Sequence, residues 1–135
     1  MTYDEIQVGD SASFEKTLSE TDVYSFAGIT GDFNPAHVNQ RYAEQSKFGQ
    51  RIAHGMLTGS LFSTVFGTSL PGLGTIYISQ QLEFVAPVLI GDTVKATVTV
   101  EEKLEKGRVR FNCVATNQRD EVVVSGNAVL RPPRQ

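Results

Sequence analysis

Residues 31 to 38, GDFNPAHV, place an aspartate and a histidine five positions apart in a chain with only two histidines. A carboxylate and an imidazole held close together can exchange protons with a bound molecule near neutral pH. Pro35 disfavours helical backbone at Asn34, so the stretch from Asp32 to His37 is predicted to be a turned loop. Such a loop can bring both side chains to one side, which makes Asp32 and His37 candidate acid–base residues.

Each of these residues also has a purely structural interpretation. Asp32 could cap the preceding helix, and Asn34 with Pro35 could shape a turn, because polar clusters are often structural. His54, the other histidine, comes just before an apolar segment and is predicted to be a packed, hydrogen-bonded support. With two histidines and one cysteine in the whole chain, no bound metal is expected.

Two helices are predicted to flank the loop. Ser19 is predicted to cap a helix that has acidic residues in its first turn, that Gly28 and Gly31 weaken, and that Pro35 ends. Residues 54 to 70 contain no Asp, Glu, Lys or Arg and are apolar nearly all round, which is typical of a buried helix. The segment is too short and too rich in Ser, Thr and Gly for a membrane span.

Small residues recur along this second helix at steps of four positions, at Gly55, Gly59, Ser63 and Gly67. Such a ridge lets another backbone or a slender ligand approach closely. Packing is a sufficient explanation for Gly59 and Gly67, whereas Gly55 and Ser63 remain open to a role in a site. The free N–H groups and the positive dipole end at a helix start suit a developing anion, and Gly55 has no side chain to obstruct it.

After Pro71 the apolar residues alternate with period two, which indicates half-buried antiparallel strands. Strands are predicted at residues 11–18, 75–86, 94–101, 108–115 and 122–130. A long apolar helix and strands with one apolar face pack most economically as an α+β arrangement, an antiparallel sheet wrapped around the helix. Open sheet edges then favour pairing of two subunits.

Length and composition exclude several classes of protein. At 135 residues, with 40% hydrophobic and 20% charged residues, the chain matches one domain, predicted over residues 1–135. A net charge of −3 offers no basic field for nucleic acid, and Arg41, Lys47 and Arg51 are predicted to be solvated.

No signal peptide or membrane span is expected, so a cytoplasmic location is predicted. Cys113 lies in an apolar alternation and is predicted to be buried.

Three stretches together resemble a known family, namely GDFNPAHV at 31–38, RIAHGMLTGSLFS at 51–63 and FVAPVLIGDTV at 84–94. They look like the MaoC-like hydratases, most closely the single-domain (R)-specific enoyl-CoA hydratases linked to polyhydroxyalkanoate synthesis. The resemblance spans roughly residues 11 to 130. It implies a hot-dog fold, a homodimer, and reversible addition of water to a trans-2-enoyl-CoA to give the (R)-3-hydroxyacyl-CoA.

The resemblance also implies residue roles. Asp32 and His37 match the catalytic pair, Asn34 matches the polar residue beside them, Gly55 matches the oxyanion donor, and Ser63 matches a residue of the site. No cofactor is implied, because coenzyme A is part of the substrate. Hydration of an enoyl thioester needs a base for water, an acid for C2 and a donor for the enolate-like oxygen, and these residues suit the three tasks.

Other functions remain open. Dehydration of an acyl-carrier-protein substrate in fatty-acid synthesis runs the same chemistry backwards on a different carrier. A non-catalytic acyl-CoA-binding module would bind ligand without turnover, and a thioesterase is less expected because thioesterases of this fold generally lack the Asp-x-Asn-Pro-x-His arrangement. Acyl length is not fixed by the sequence, and the candidate pocket residues are Phe62, Val65, Leu70 and Leu73.

Overall fold

An antiparallel sheet of five strands dominates the computed structural model, which describes residues 1–134 and leaves Gln135, the last residue of the predicted domain, outside the described residues. The strands are β1 (Ser11–Thr17), β2 (Ile76–Phe84), β3 (Thr93–Lys103), β4 (Val109–Thr116) and β5 (Val122–Arg131). Their order across the sheet is β1-β3-β4-β5-β2. The helices are α1 (Glu20–Thr30), α2 (Pro35–Val38), α3 (Gln40–Glu44) and α4 (Gly55–Thr68), and a short 3₁₀ turn covers Glu105–Gly107.

The strands follow the predicted alternation of apolar and polar residues. On β3, Val94, Ala96, Val98 and Val100 are buried, whereas the residues between them are exposed or half-buried. Val98 pairs with Cys113 of β4, and both lie on the buried face. The burial predicted for Cys113 is therefore confirmed, and the five predicted strands agree with the observed ones to within about two residues at each end.

Helix α4 packs against the buried face of this sheet and supplies much of the core. Leu61, Phe62, Val65 and Phe66 are buried, and the Phe66 ring packs edge-on against Phe111 of β4 with 5.0 Å between ring centroids. A sheet wrapped around one central helix is the α+β hot-dog arrangement that the sequence analysis expected. No helix within residues 1–134 has the length and apolar character needed to cross a membrane.

The prediction that α4 is a buried helix is correct for only one side of the helix within the described chain. Its outer face carries Met56, Ser60, Ser63 and Gly67, all exposed. The sheet covers only the opposite side of the helix, and no other described segment of the chain covers this face. The apolar pattern did not distinguish the two sides because small residues such as Gly and Ser are compatible with either burial or exposure.

Helix α1 begins and ends through local side-chain and backbone signals. Ser19 caps it as predicted, accepting a hydrogen bond from the Asp22 N–H at 3.1 Å, while the Asp22 carboxylate accepts one from the Ser19 N–H at 2.9 Å. The helix ends at Gly31, whose φ of +82° is left-handed, rather than at Pro35. Asp32 therefore follows the helix end directly.

The predicted loop from Asp32 to His37 is correct only in its first half. Asn34 caps α2 by accepting a hydrogen bond from the Ala36 N–H at 3.0 Å, and Pro35 is the first residue of that helix. Proline at a first helical position loses no intrahelical hydrogen bond and already has a suitable φ. His37 consequently lies on a short helix, whereas Asp32 lies on the loop that precedes it.

Arg51 ties three segments together instead of being solvated as predicted. Its guanidinium group donates to the Glu20 carboxylate at 2.9 Å, to the Tyr24 hydroxyl at 2.8 Å and to the Gln40 side chain at 3.0 Å. Its side chain is only 14% exposed. The contacts join α1 and α3 to the segment that leads into α4, and they hold the surroundings of Asp32 and His37 in place.

Candidate active site

A cavity of about 680 Å³ lies where the Asp32 loop, α2 and the start of α4 meet. Asp32, His37, His54, Gly55 and Thr58 contribute its polar wall. The remaining wall is largely apolar and includes Phe26, Phe48, Ile52, Met56 and residues 84–88. The structure thus brings together three of the predicted site residues, Asp32, His37 and Gly55, around one space large enough for a small organic group.

The His37 ring has a defined tautomer. Its Nδ1 atom lies 2.7 Å from the backbone carbonyl oxygen of Ile52, and a carbonyl can only accept, so Nδ1 carries the proton. In the neutral ring Nε2 then has a free lone pair, which can accept a hydrogen from a bound molecule. The side chain is 9% exposed, so this acceptor is shielded from most of the solvent.

Asp32 is held by its own loop. Its backbone N–H donates to the Thr30 hydroxyl at 3.2 Å, and its Oδ1 accepts a hydrogen bond from the Asn34 N–H at 3.1 Å. Its Oδ2 has no hydrogen-bond partner among the described residues, and the side chain is exposed while it lines the cavity. The carboxylate is therefore oriented through one oxygen and keeps the other for a ligand.

His54 connects the loop to the start of α4. Its Nε2 donates to the backbone carbonyl oxygen of Asp32 at 3.0 Å. Its ring stacks on that of His37, with centroids 3.9 Å apart and planes inclined by 26°, and its centroid lies 4.9 Å from that of Phe26. The side chain is 2% exposed, which confirms the prediction of a packed and hydrogen-bonded histidine.

One potential ligand atom each from Asp32, His37 and His54 lies within 4.8 Å of the others, a separation that raises the question of a metal ion. An imidazole binds a metal through a lone pair in its ring plane, at about 2.0 to 2.1 Å for zinc. The centroids of the two stacked rings are 3.9 Å apart and their planes are inclined by 26°, so the in-plane lone pairs of the two rings do not converge on one point at that distance. The arrangement suits hydrogen bonding to a small molecule better than chelation.

Gly55 is the first residue of α4 and lines the cavity. The N–H groups of Gly55 and Met56 have no acceptor among the described residues, and the preceding residue, His54, makes no side-chain capping bond to them. A Cβ added at Gly55 would lie 2.7 Å from Cδ1 of Phe84, so this position needs glycine to admit the Phe84 ring. The helix start thus offers backbone donors beside a packed aromatic wall.

The other predicted site residues lie apart from this cluster. Asn34 is exposed and does not line the cavity, and its side-chain oxygen caps α2. Ser63 lies on the outer face of α4 and lines a second cavity of about 370 Å³, which shares Phe26 and Met56 with the first. A hydrogen bond between Ser63 and Asp32 is not present among the described residues, and direct contact of Asn34 or Ser63 with a substrate stays a prediction.

The pocket residues suggested by the sequence were wrong. Phe62, Val65 and Leu70 belong to the core between α4 and the sheet, and Leu73 is 86% exposed. None of the four lines either cavity. The wall opposite the polar residues instead comes from residues 84–88, at and beyond the end of β2, together with Phe26 and Phe48.

The remaining glycines of the α4 ridge differ in their surroundings. A Cβ on Gly59 would lie 2.7 Å from Leu82 of β2, so packing explains that glycine as predicted. A Cβ on Gly67 would meet nothing within 4 Å, so packing within the described chain does not explain that one.

Comparison with known proteins agrees with these features. Residues 5–123 match the family described as "MaoC like domain". The chain is 51% identical, over 97% of its length and 91% of the relative, to an (R)-specific enoyl-CoA hydratase of Rhodospirillum rubrum. It is 32% identical, over 95% of its length and 78% of the relative, to a mitochondrial 3-hydroxyacyl-[acyl-carrier-protein] dehydratase of Arabidopsis thaliana.

Among solved structures, the unliganded R-hydratase PhaJ1 of Pseudomonas aeruginosa superimposes with a TM-score of 0.96 at 43% identity, covering 99% of this chain and 86% of that one. The family match covers most of the chain, and these relatives are similar to the chain in sequence and in fold along nearly its full length. The protein therefore belongs to the family of MaoC-like domain proteins.

Proposed function

We propose that the protein is an (R)-specific enoyl-CoA hydratase, which adds water reversibly to a trans-2-enoyl-CoA to give the (R)-3-hydroxyacyl-CoA. The observation that carries the proposal is the meeting of two proton acceptors, Asp32 and His37, with the uncapped start of α4 on one cavity wall. The identity to hydratases over nearly the whole chain supports the same activity.

In this proposal one water molecule is held by Asp32 and His37. Nε2 of neutral His37 and Oδ2 of Asp32 are both acceptors, and a water molecule has two hydrogens to donate. The water oxygen attacks C3 of the enoyl group, and one of the two acceptors takes the proton that leaves. The same pair returns that proton to C2 from the same face, so it ends in the protonation state in which it began. Acid–base assistance of this kind is worth about 10²- to 10⁴-fold in rate.

The thioester oxygen gains negative charge between these two steps. In the proposal it lies against the N–H of Gly55, where the helix dipole also favours an anion. A donor aimed at a developing oxyanion is typically worth about 2.7 to 4 kcal/mol of transition-state stabilisation. Polarising the thioester in this way also makes C3 more electrophilic, so one contact assists both the attack and the later protonation.

The proposed function and its closest alternative differ in the carrier of the acyl group, which is coenzyme A in one and an acyl-carrier protein in the other. An acyl-carrier-protein dehydratase performs the reverse reaction with equivalent groups, and a relative of this chain bears that name. We propose coenzyme A because two relatives named for CoA thioesters, an (R)-specific enoyl-CoA hydratase and a 3-hydroxybutyryl-CoA dehydratase, are more similar, at 51% and 45% identity. Turnover of the same 3-hydroxyacyl group on both carriers measures this directly, and higher kcat/KM on the carrier protein would favour the rival.

Pairing of two subunits is also part of the proposal. β2 is an edge strand with a free side, and it carries exposed apolar residues, with Ile76 at 47% and Phe84 at 53% exposure. The outer face of α4 lies open as well, with Met56 at 60% exposure. Covering these surfaces with a second copy would remove an unpaired sheet edge from solvent. Sedimentation at several concentrations should give twice the monomer mass of 14.7 kDa.

The proposal also includes a cellular location and a biosynthetic role. A cytoplasmic site of action is proposed because the substrate is an acyl-CoA thioester. A link to polyhydroxyalkanoate synthesis is proposed because a solved relative from Aeromonas caviae, similar in fold, is described as involved in that synthesis.

Analysis of the product from crotonyl-CoA on a chiral column tests the proposed reaction and its stereochemistry. The (R) enantiomer is expected, and the (S) enantiomer or a free acid would contradict the proposal.

The second cavity suggests where longer substrates extend. It adjoins the first through Phe26 and Met56, and its other lining residues include Gly59, Ser63 and Leu82. An acyl chain longer than crotonyl would extend past Met56 into this space. Measuring kcat/KM for enoyl-CoAs of increasing length tests this, and a sharp fall just beyond four carbons would show that the second space is not used.

A further inference from the structure

Through its side chain and its backbone, His54 contacts the Asp32 loop, the His37 ring and the start of α4. Its Nε2–H donates to the carbonyl oxygen of Asp32 at 3.0 Å, and its ring lies 3.9 Å from the His37 ring. Its backbone carbonyl oxygen accepts hydrogen bonds from the N–H groups of Leu57 and Thr58 in the first turn of α4. One residue thus joins the aspartate loop, the histidine ring and the helix start that carries the proposed oxyanion donor.

Packing alone does not account for an imidazole at this position. The side chain is 2% exposed, and its Nδ1 has no hydrogen-bond partner among the described residues. A buried acceptor without a partner is unfavourable, and an apolar ring would fill the same space without one. The feature that the imidazole adds is its Nε2–H, which fixes the backbone of the residue that holds the water.

We infer that His54 is a positioning residue for water addition: it sets the distance between the Asp32 carboxylate and the His37 ring and holds both relative to the Gly55 N–H. The inference rests on the proposed function. The Asp32 side chain is exposed, and within residues 1–134 its carboxylate accepts a hydrogen bond only from its own short loop, so the backbone bond from His54 is the contact that anchors this loop to α4. Without it, the water held between Asp32 and His37 would lose its alignment with C3.

A pair of variants separates the hydrogen-bond donor from the aromatic ring. His54→Phe keeps a ring to stack on His37 and removes the donor, whereas His54→Gln keeps an N–H donor and removes the ring. We expect kcat for crotonyl-CoA to fall about 10- to 100-fold in His54→Phe, because misplacement by about 1 Å has effects of this size. KM should stay within about threefold, because His54, although it lines the cavity, is only 2% exposed and offers the substrate almost no contact surface. His54→Gln should recover part of the loss.

A double-mutant cycle with Asp32→Asn tests whether His54 acts through Asp32. Once the carboxylate is gone, removing its anchor should have little further effect, so the His54→Phe and Asp32→Asn losses should not multiply. A merely structural role for His54 would instead lower the residual activity of Asp32→Asn by the same factor as that of the wild type. That outcome would overturn the inference.

The controls keep the result interpretable. Thr75→Val removes a different buried polar atom, the Thr75 hydroxyl, which has no partner among the described residues and lines neither cavity, and it should leave kcat unchanged. If His54→Phe does not fold, His54→Met supplies the variant that lacks the donor. Wild-type protein that fails to hydrate crotonyl-CoA would refute the proposed function itself. An active wild type with an equally active His54→Phe variant would refute only the role of His54.

Discussion

Nδ1 of His37 donates a hydrogen bond to the backbone carbonyl oxygen of Ile52 over 2.7 Å. The N–H of Ile52 in turn donates to the carbonyl oxygen of Ala36, the neighbour of His37, over 3.2 Å. Helix α2 is therefore held at two points by the segment that leads into α4, and the His37 ring has one fixed orientation relative to the Gly55 N–H. This pair of bonds also leaves Nε2, rather than Nδ1, free for a ligand.

The first prediction concerns this free nitrogen. His37→Gln removes the imidazole base and should lower kcat for crotonyl-CoA about 10²- to 10⁴-fold, the range for loss of a positioned acid–base group. Far-UV circular dichroism and the thermal midpoint should show that the fold persists. A His37→Gln variant with near wild-type kcat would remove His37 from the proposed proton transfers.

The second prediction uses two glycines of the same helix. Gly55→Ala should lower kcat, because its Cβ would lie 2.7 Å from the Phe84 ring and force that ring to shift in the cavity wall. Gly67→Ala is the matched control, since no atom of the described residues lies within 4 Å of a Cβ placed at Gly67. The control should keep its activity and gain about 0.5 to 1 kcal/mol in unfolding free energy, the typical advantage of Ala over Gly within a helix.

Urea unfolding and steady-state kinetics of both glycine variants check these expectations. Equal activities of Gly55→Ala and Gly67→Ala would show that the start of α4 tolerates a side chain. That result would contradict a close approach of the substrate and the Phe84 ring to Gly55.

The third prediction concerns the contacts of Arg51 and their dependence on pH. The hydrogen bond from Arg51 lowers the pKa of Glu20 below its ordinary value of 4.5. A carboxylate whose pKa is lowered by folding stabilises the folded protein above its ordinary pKa, and this contribution is lost as the pH falls through the lowered value. Arg51→Met should therefore lower the thermal midpoint at neutral pH, and the deficit should shrink below a pH of about 4.

Thermal melts of wild type and Arg51→Met over this pH range provide the measurement. Arg119→Met is the control, because among the described residues Arg119 forms an ion pair only with Glu121, two positions away, and both side chains are more than half exposed. Exposed pairs of this kind contribute about 0 to 1 kcal/mol, so the control should barely change the midpoint. A deficit of Arg51→Met that stays constant across the pH range would contradict the assigned partner.

The fourth prediction concerns the thiol of Cys113. Burial raises its pKa to about 11, and the side chain is fully buried on β4. Because the thiolate is the reactive form, iodoacetamide should label the native protein very slowly at a pH of about 8 and label the urea-unfolded protein readily. Mass spectrometry of both samples measures this. Rapid labelling of the native protein, or loss of activity on labelling before unfolding, would contradict the buried position.

Local signals in the sequence were sufficient for much of the site. Ser19 and Gly31 mark the two ends of α1, so the placement of Asp32 just past a helix end could be predicted from residues within one turn of it. The alternation along β3 and β4 likewise fixed which residues face the core. These features depend on neighbours along the chain, which is the information that a single sequence contains.

Features that depend on distant segments could not be predicted in this way. Residues 84–88 reach the cavity because Val85 donates a backbone hydrogen bond to Val123 beyond the end of β2, a contact that no local pattern indicates. The outer face of α4, with Ser63, looks like its inner face in composition, so the sequence did not reveal which side meets the sheet. The hydrogen bond from His54 to Asp32 joins residues 22 positions apart, and the sequence likewise did not predict it.

The central claim is that Asp32 and His37 activate a water molecule for addition to an enoyl-CoA. Its most direct test is the rate at which purified wild type and Asp32→Asn remove the ultraviolet absorbance of crotonyl-CoA. Wild type is expected to remove it rapidly, and the folded Asp32→Asn variant should be slower by about 10²-fold or more. Equal rates for the two proteins, or binding of crotonyl-CoA by wild type with no change in absorbance, would contradict the claim.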